Sequence, residues 1–224
     1  MKIGFFIRTY DKDLAWLKVC LCSILRFGSK HDTVVVCDNQ SGQRSRALAK
    51  ELGFSVFLSD SKVTSGYIRQ QADKLKADLV FPDYDAVCFV DSDTRLTANF
   101  SDFEVLKKGK LSLWAQPWKN NMFWRKPCED CLGYAIEFEY DNGPIFCCPI
   151  FILKLLREHV ENRFKTNFDF YFEKLKIFSE YSVIGEFWKR TFPDTVNVLL
   201  NTYEGAFIKA WSTGNPARIT NNES

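Results

Sequence analysis

A single α/β domain, with a mostly parallel central sheet flanked by helices, is the fold class this sequence predicts. Three observations carry that expectation. Short apolar, β-branched runs alternate with longer helical patterns through residues 1–95, the rhythm of crossover units. The runs are apolar at consecutive rather than alternate positions, as in strands covered on both faces. A length of 224 residues suits one domain, at about 100–200 residues per domain.

Taken in order, Lys2–Arg8 is the first strand-like run. Asp11–Phe27 spaces Leu14, Leu17, Leu21, Ile24 and Leu25 three and four apart, and Gly28 stops it as a residue after a helix end does. Thr33–Cys37 is the second strand and Gln43–Leu52 the second helix, closed by Gly53. Phe54–Leu58 is the third strand, Tyr67–Ala77 a helix, and Ala86–Val90 a fourth buried strand that runs into Asp91-Ser92-Asp93. The rhythm then changes. Leu111–Ala115 and Tyr134–Glu139 read as strands around a long aromatic loop. Ile150–Val160, Asp169–Phe178 and Glu180–Thr191 read as helices, and Val196–Leu200 as a strand. The expected division is one α/β domain over 1–211, with a nucleotide-binding-like half at 1–95, an irregular half at 96–211 and a polar tail at 212–224.

Composition narrows the function. Hydrophobic residues make up 46% and charged residues 26%, which excludes disorder as the main state. A net charge of +2 argues against nucleic acid as the partner. No stretch approaches the ~20 apolar residues that span a bilayer, and the apolar start is too short for a secretory signal. A cytoplasmic protein is expected. The eight cysteines fit reduced thiols, with Cys37 and Cys88 inside strand-like runs. Cys128, Cys131, Cys147 and Cys148 make a poor zinc set, because adjacent cysteines chelate awkwardly.

Ligands of open α/β sheets sit beyond the carboxyl ends of the strands. Arg8-Thr9-Tyr10-Asp11, Asp38-Asn39-Gln40-Ser41 and Asp91-Ser92-Asp93-Thr94 are those ends, and all are polar. Three Asp-x-Asp patterns occur, so the pattern alone means little; only Asp91-Ser92-Asp93 directly follows a buried strand. There Asp91 and Asp93 share a face and fit one hard cation, Mn²⁺ or Mg²⁺, with phosphate oxygens completing its shell.

A strand ending in Phe89-Val90-Asp91-Ser92-Asp93 after a βαβα half resembles the GT-A glycosyltransferases, small single-domain types of which occur in bacteria and large algal DNA viruses. The resemblance implies a Rossmann-like nucleotide-diphospho-sugar transferase fold and a UDP-sugar donor. It also implies a hydroxyl acceptor, such as a glycan, and a metal held by Asp91 and Asp93. On that basis Thr9, Tyr10, Asp38, Arg69, Ser92 and Lys209 contact the base, ribose or diphosphate, with Trp211 beside Lys209. Glu180 is the first candidate for the carboxylate that deprotonates the acceptor in an inverting reaction, and Asp141 the second. The chain lacks the late histidine that many members use as a third metal ligand; it has only His31 and His159.

The same residues have plainer uses. Asp38 can cap a turn, Glu180 after Ser179 can favour a helix start, and Asp141-Asn142-Gly143-Pro144 is a turn signal. Trp114 through Trp124 can be a sugar platform or ordinary core. A nucleotidyltransferase, a phosphatase and an inactive nucleotide-binding module are the competing readings. The first lacks its glycine-rich loop at Thr9–Asp13, and the second expects its motif after the first strand.

Overall fold

The structure is a computed structural model that describes residues 1–27, 30–118, 123–140, 143, 145–200 and 207–209. Strand β1 (Ile3–Thr9) is buried along its whole length and leads through a 3₁₀ turn into α1 (Leu14–Arg26). β2 (Thr33–Asp38), α2 (Gln43–Glu51) and β3 (Ser55–Ser59) follow. Gly53 closes α2 at φ +81°, a conformation that glycine adopts without steric cost. Then come α3 (Gly66–Leu75), a short α4 (Ala77–Val80), β4 (Ala86–Val90) and β5 (Thr94–Leu96). The second half begins with β6 (Leu106–Lys107), β7 (Lys110–Trp114) and β8 (Gln116–Pro117). Next are α5 (Arg125–Leu132), β9 (Phe138–Glu139) and β10 (Ile145–Pro149). The chain continues through α6 (Ile150–Phe164), α7 (Phe168–Glu173), α8 (Glu180–Thr191), β11 (Val196–Leu199) and β12 (Phe207–Lys209).

The main sheet has the order β10-β4-β1-β2-β3, parallel throughout except for β10. The chain steps outward from β1 to β3, then returns past β1 to β4. Right-handed crossovers place α1 and α2 on one face and α3 on the other. α1 packs on α2, and α3 packs on α7 and α8. The core centres on Phe5, Phe6, Ile7, Val35, Val36, Val87 and Phe89, each at most 1% exposed. Each such side chain contributes about 1.5–3 kcal/mol of burial energy. The fold class is the one expected, a mostly parallel sheet between helices.

The first half matches its expected elements to within a few residues. The second half departs from them in three places. Residues Arg125–Leu132 form a helix, and the strand expected over Tyr134–Glu139 shrinks to Phe138–Glu139. β10 is a buried strand over Ile145–Pro149, where no strand was expected, and it passes at Pro149 with no loop into the helix expected from Ile150. The helix expected over Asp169–Phe178 stops at Glu173, and Phe178 turns inward to set its ring edge-on to Phe172, with centroids 4.9 Å apart. Among the described residues no helix is long and apolar enough to cross a membrane.

Candidate active site

The strand order reverses between β1 and β4, and the carboxyl ends of these two strands frame the crevice where ligands of such sheets bind. Thr9 and Tyr10 leave β1 there, and Asp91-Ser92-Asp93 leaves β4. The chain turns at Asp91, whose carbonyl accepts from the Thr94 N–H at 2.9 Å.

Lys74 of α3 organises this crevice. Its ammonium donates to Asp91 Oδ1 at 2.8 Å, to Glu180 Oε1 at 2.7 Å and to the Tyr181 hydroxyl at 2.7 Å. These three bonds use all of its donors. Tyr181 donates onward to Asp91 Oδ1 at 3.4 Å, and its ring stacks on Phe146 at 4.7 Å. The Lys74 side chain is only 4% exposed. Burial pushes its pKa down, but Asp91 and Glu180 outweigh burial and hold it well above the usual lysine range. Ser179 caps α8, its hydroxyl accepting from the Ser182 N–H at 3.3 Å, and so delivers Glu180 at the first helical position.

Asp91 and Glu180 therefore line one cavity of about 180 Å³, with Tyr67, Gln71, Lys74 and Trp124. Within it, Gln71 Oε1 and Trp124 Nε1 make no hydrogen bond among the described residues. The cavity is smaller than the roughly 300–1,000 Å³ of sites for drug-sized ligands, so it has room for only a small group.

The structure also brings Asp38 and Arg69 together. Asp38 Oδ1 accepts from the Gln40 and Ser41 N–H groups at 2.9 and 3.2 Å, which is the turn-capping use. Its Oδ2 pairs with the Arg69 guanidinium, which also reaches the Val63 carbonyl. Tyr10 donates to the Gly66 carbonyl at the start of α3, and burial raises its phenol pKa. Asp11 crosses to α2, where it accepts from Arg44 and Ser45 N–H at 3.1 and 2.8 Å.

Some expected residues fall elsewhere. Asp141, Trp211 and the tail at 212–224 lie outside the described residues. Lys209 is described in its backbone alone, as the β12 residue paired with Thr94. The aromatic stretch divides: Trp114 is core, Trp118 donates to the Ile136 carbonyl at 3.1 Å, and Trp124 lines the cavity. The cysteines have unrelated neighbours. Cys128 meets the Ser179 carbonyl at 3.5 Å, Cys131 bonds to Tyr171, and Cys147 lies beside Cys88.

Two groups escaped the sequence reading. Lys74 reads as a solvated helix lysine; the cue was an acidic strand end in need of a positive charge. Arg8 reads as a polar strand end, yet it is 1% exposed and bound to Asp73 at 2.6 Å, with Ser59 on the other Asp73 oxygen at 2.7 Å.

Among the described residues no three His, Cys, Asp or Glu side chains gather as a metal set. His31 pairs with Asp102 at 2.9 Å and His159 meets the Leu132 carbonyl at 3.0 Å. Asp91 and Asp93 still fit Mn²⁺ or Mg²⁺ chemically. Such ions accept one or two carboxylates and take their remaining oxygens from substrate phosphates and water.

No protein-family model matches the chain, and no curated protein sequence matches it. Solved structures do resemble it in shape, each at 15% identity. The WbbM bifunctional glycosyltransferase aligns over 88% of this chain at a TM-score of 0.47, and this chain spans 38% of that protein's length. A cytidylyltransferase from Leptospira borgpetersenii aligns over 93% of this chain and 82% of its own, at 0.49. A 4-diphosphocytidyl-2C-methyl-D-erythritol synthase from Anaerococcus prevotii aligns over 94% of this chain and 92% of its own, at 0.52. The last likeness shows the fold: a Rossmann-like α/β layout with a mostly parallel sheet.

Proposed function

We propose that the protein is a glycosyltransferase that moves a sugar from a nucleoside-diphosphate sugar, a UDP-sugar by preference, to a hydroxyl of a glycan-type acceptor. The observation that carries this reading is the meeting of Asp91, from the end of β4, and Glu180, from the start of α8, in one cavity. A donor-side carboxylate and an acceptor-side carboxylate then face the same small space. Gln71 Oε1 and Trp124 Nε1, without hydrogen bonds among the described residues, supply an acceptor and a donor suited to a hydroxyl-bearing ring.

Asp91 and Asp93 would hold Mn²⁺ or Mg²⁺. When bound, the cation neutralises charge on the departing diphosphate. Thr9, Tyr10 and Ser92 face the nucleotide, and Lys209 lies in backbone register with Thr94. The Asp38–Arg69 pair fixes the ribose side as a unit, since each side chain already holds the other. Glu180 takes the proton of the acceptor hydroxyl, which makes the transfer inverting, with Asp141 the second candidate for that role.

Nucleotidyl transfer is the second reading, and the 0.52 likeness to the cytidyl-bearing synthase favours it. Against it, the Thr9–Asp13 connection has no glycine, and its Asp11 is committed to α2.

Calorimetric titration of UDP, GDP and CTP, each with and without Mn²⁺, separates the two. Glycosyl transfer predicts Mn²⁺-dependent UDP binding that weakens at least about tenfold in Asp93→Ala. Preference for CTP, with pyrophosphate released on turnover, moves the assignment to nucleotidyl transfer. Glu180→Gln should bind the donor normally and lose transfer.

A further inference from the structure

We infer that Lys74 is a resident cation that suppresses binding of a free divalent ion, so that metal and nucleotide load together. The inference rests on the proposed metal role of Asp91 and Asp93. Lys74 already donates to Asp91 Oδ1 at 2.8 Å, and Tyr181 bonds to the same oxygen. The ammonium is also bound elsewhere: Glu180 holds it at 2.7 Å, it lies 4.4 Å from the Tyr181 ring centroid, and its side chain is 4% exposed.

A divalent ion approaching Asp91 therefore meets a fixed positive charge at bonding distance from one of its intended ligands. Asp91 and Asp93 alone also provide far fewer than the six or so oxygens such an ion wants. A diphosphate changes both conditions. It adds oxygen ligands and negative charge. The ion then binds to the protein–nucleotide pair and only weakly to the protein alone.

Formal charge sharpens the test. With Lys74, Asp91, Asp93 and Glu180 ionised, the group sums to −2. Replacing Lys74 by Met and Glu180 by Gln together leaves Asp91 and Asp93, again −2. A change in ion affinity in that double variant reports the ammonium on Asp91 rather than net charge.

The experiment is Mn²⁺ binding read from loss of the free-ion electron paramagnetic resonance signal, with and without UDP. Circular dichroism checks the fold of each variant. Wild type should bind Mn²⁺ at least about tenfold more tightly with UDP. Lys74→Met with Glu180→Gln should bind nucleotide-free Mn²⁺ at least about fivefold more tightly than wild type, with a smaller UDP enhancement. Glu180→Gln alone is a near-isosteric change that leaves Lys74 with Asp91 as its one carboxylate partner at the site, and its nucleotide-free affinity should fall. An unchanged double variant, or an unchanged or tighter Glu180→Gln, overturns the role of Lys74 while leaving UDP-dependent Mn²⁺ binding intact. No Mn²⁺ binding to any variant under either condition overturns both this role and the metal reading.

Discussion

Arg8 and Asp73 form a charge pair with almost no water around it, and their neighbours are strands and helices rather than loops. Breaking such a pair by removing one partner costs about 3–5 kcal/mol, because the other charge stays buried. Arg8→Met should lower the urea midpoint accordingly; a loss under about 1 kcal/mol would mean that Asp73 finds another partner. Asp11 makes a different prediction. Its slight burial disfavours ionisation, but the N–H groups of Ser45 and Arg44 outweigh that and hold it below its ordinary 3.8. A carboxylate depressed in the folded state stabilises above its unfolded value and loses that contribution as pH falls through the folded one. Thermal melts should therefore show wild type above Asp11→Asn at neutral pH, with the gap closing as pH falls below about 4. A gap that persists in acid would assign the effect to packing. Such residues resist sequence reading for a common reason. A Lys on a helix or an Arg at a strand end looks solvated until the fold shows which carboxylate it meets. The carboxylates Asp91 and Glu180 were legible because a strand end and a helix start mark them locally.

Helix α8 fits its expected span at both ends, since Ser179 marks its start and the apolar spacing runs through Trp188. It also packs at very close range. A Cβ added at Gly185 would lie 2.4 Å from Tyr140 Cγ, and the Tyr140 ring is 2% exposed with its hydroxyl on Glu186 at 3.1 Å. Gly185→Ala should cost about 1–3 kcal/mol by overpacking, read from denaturant midpoints. Ser179→Ala should cost about 1 kcal/mol as a lost cap. It should also lower turnover beyond what that stability loss explains, because it loosens the helix end that carries Glu180. Turnover equal to wild type would separate the cap from the site. β10 was missing from the expected elements although the helix start at Ile150 was legible: the run Ile145–Pro149 is apolar throughout and passes into α6 with no turn residue to mark it as an element of its own. α5 lay within the stretch expected as a long aromatic loop; the three-residue spacing of Cys128 and Cys131 is one face of a short helix with both thiols inside.

At the scale of the molecule, the parallel half was readable because each crossover repeats the same alternation, whereas the strand order β10-β4-β1-β2-β3 comes from the structure alone. The half after β4 combines small sheets with short strands and carries little periodic signal. The cysteines report on this packing. Seven of the eight are buried and Cys22 is exposed. Burial pushes Cys37 up to about 11 and Cys131 up to about 12. Ellman's reagent should therefore modify one thiol quickly in the native protein and all eight in denaturant. Several fast native thiols would mean that the core opens readily. Asp11 has one last implication. The amino end of a helix carries partial positive charge and attracts phosphate in many nucleotide-binding folds. In this chain that end of α2 already holds a carboxylate of the protein's own, so the helix dipole there is satisfied from within. On the proposed reading, a diphosphate at the end of β4 is then met by side chains and a cation rather than by the backbone amides that open α2.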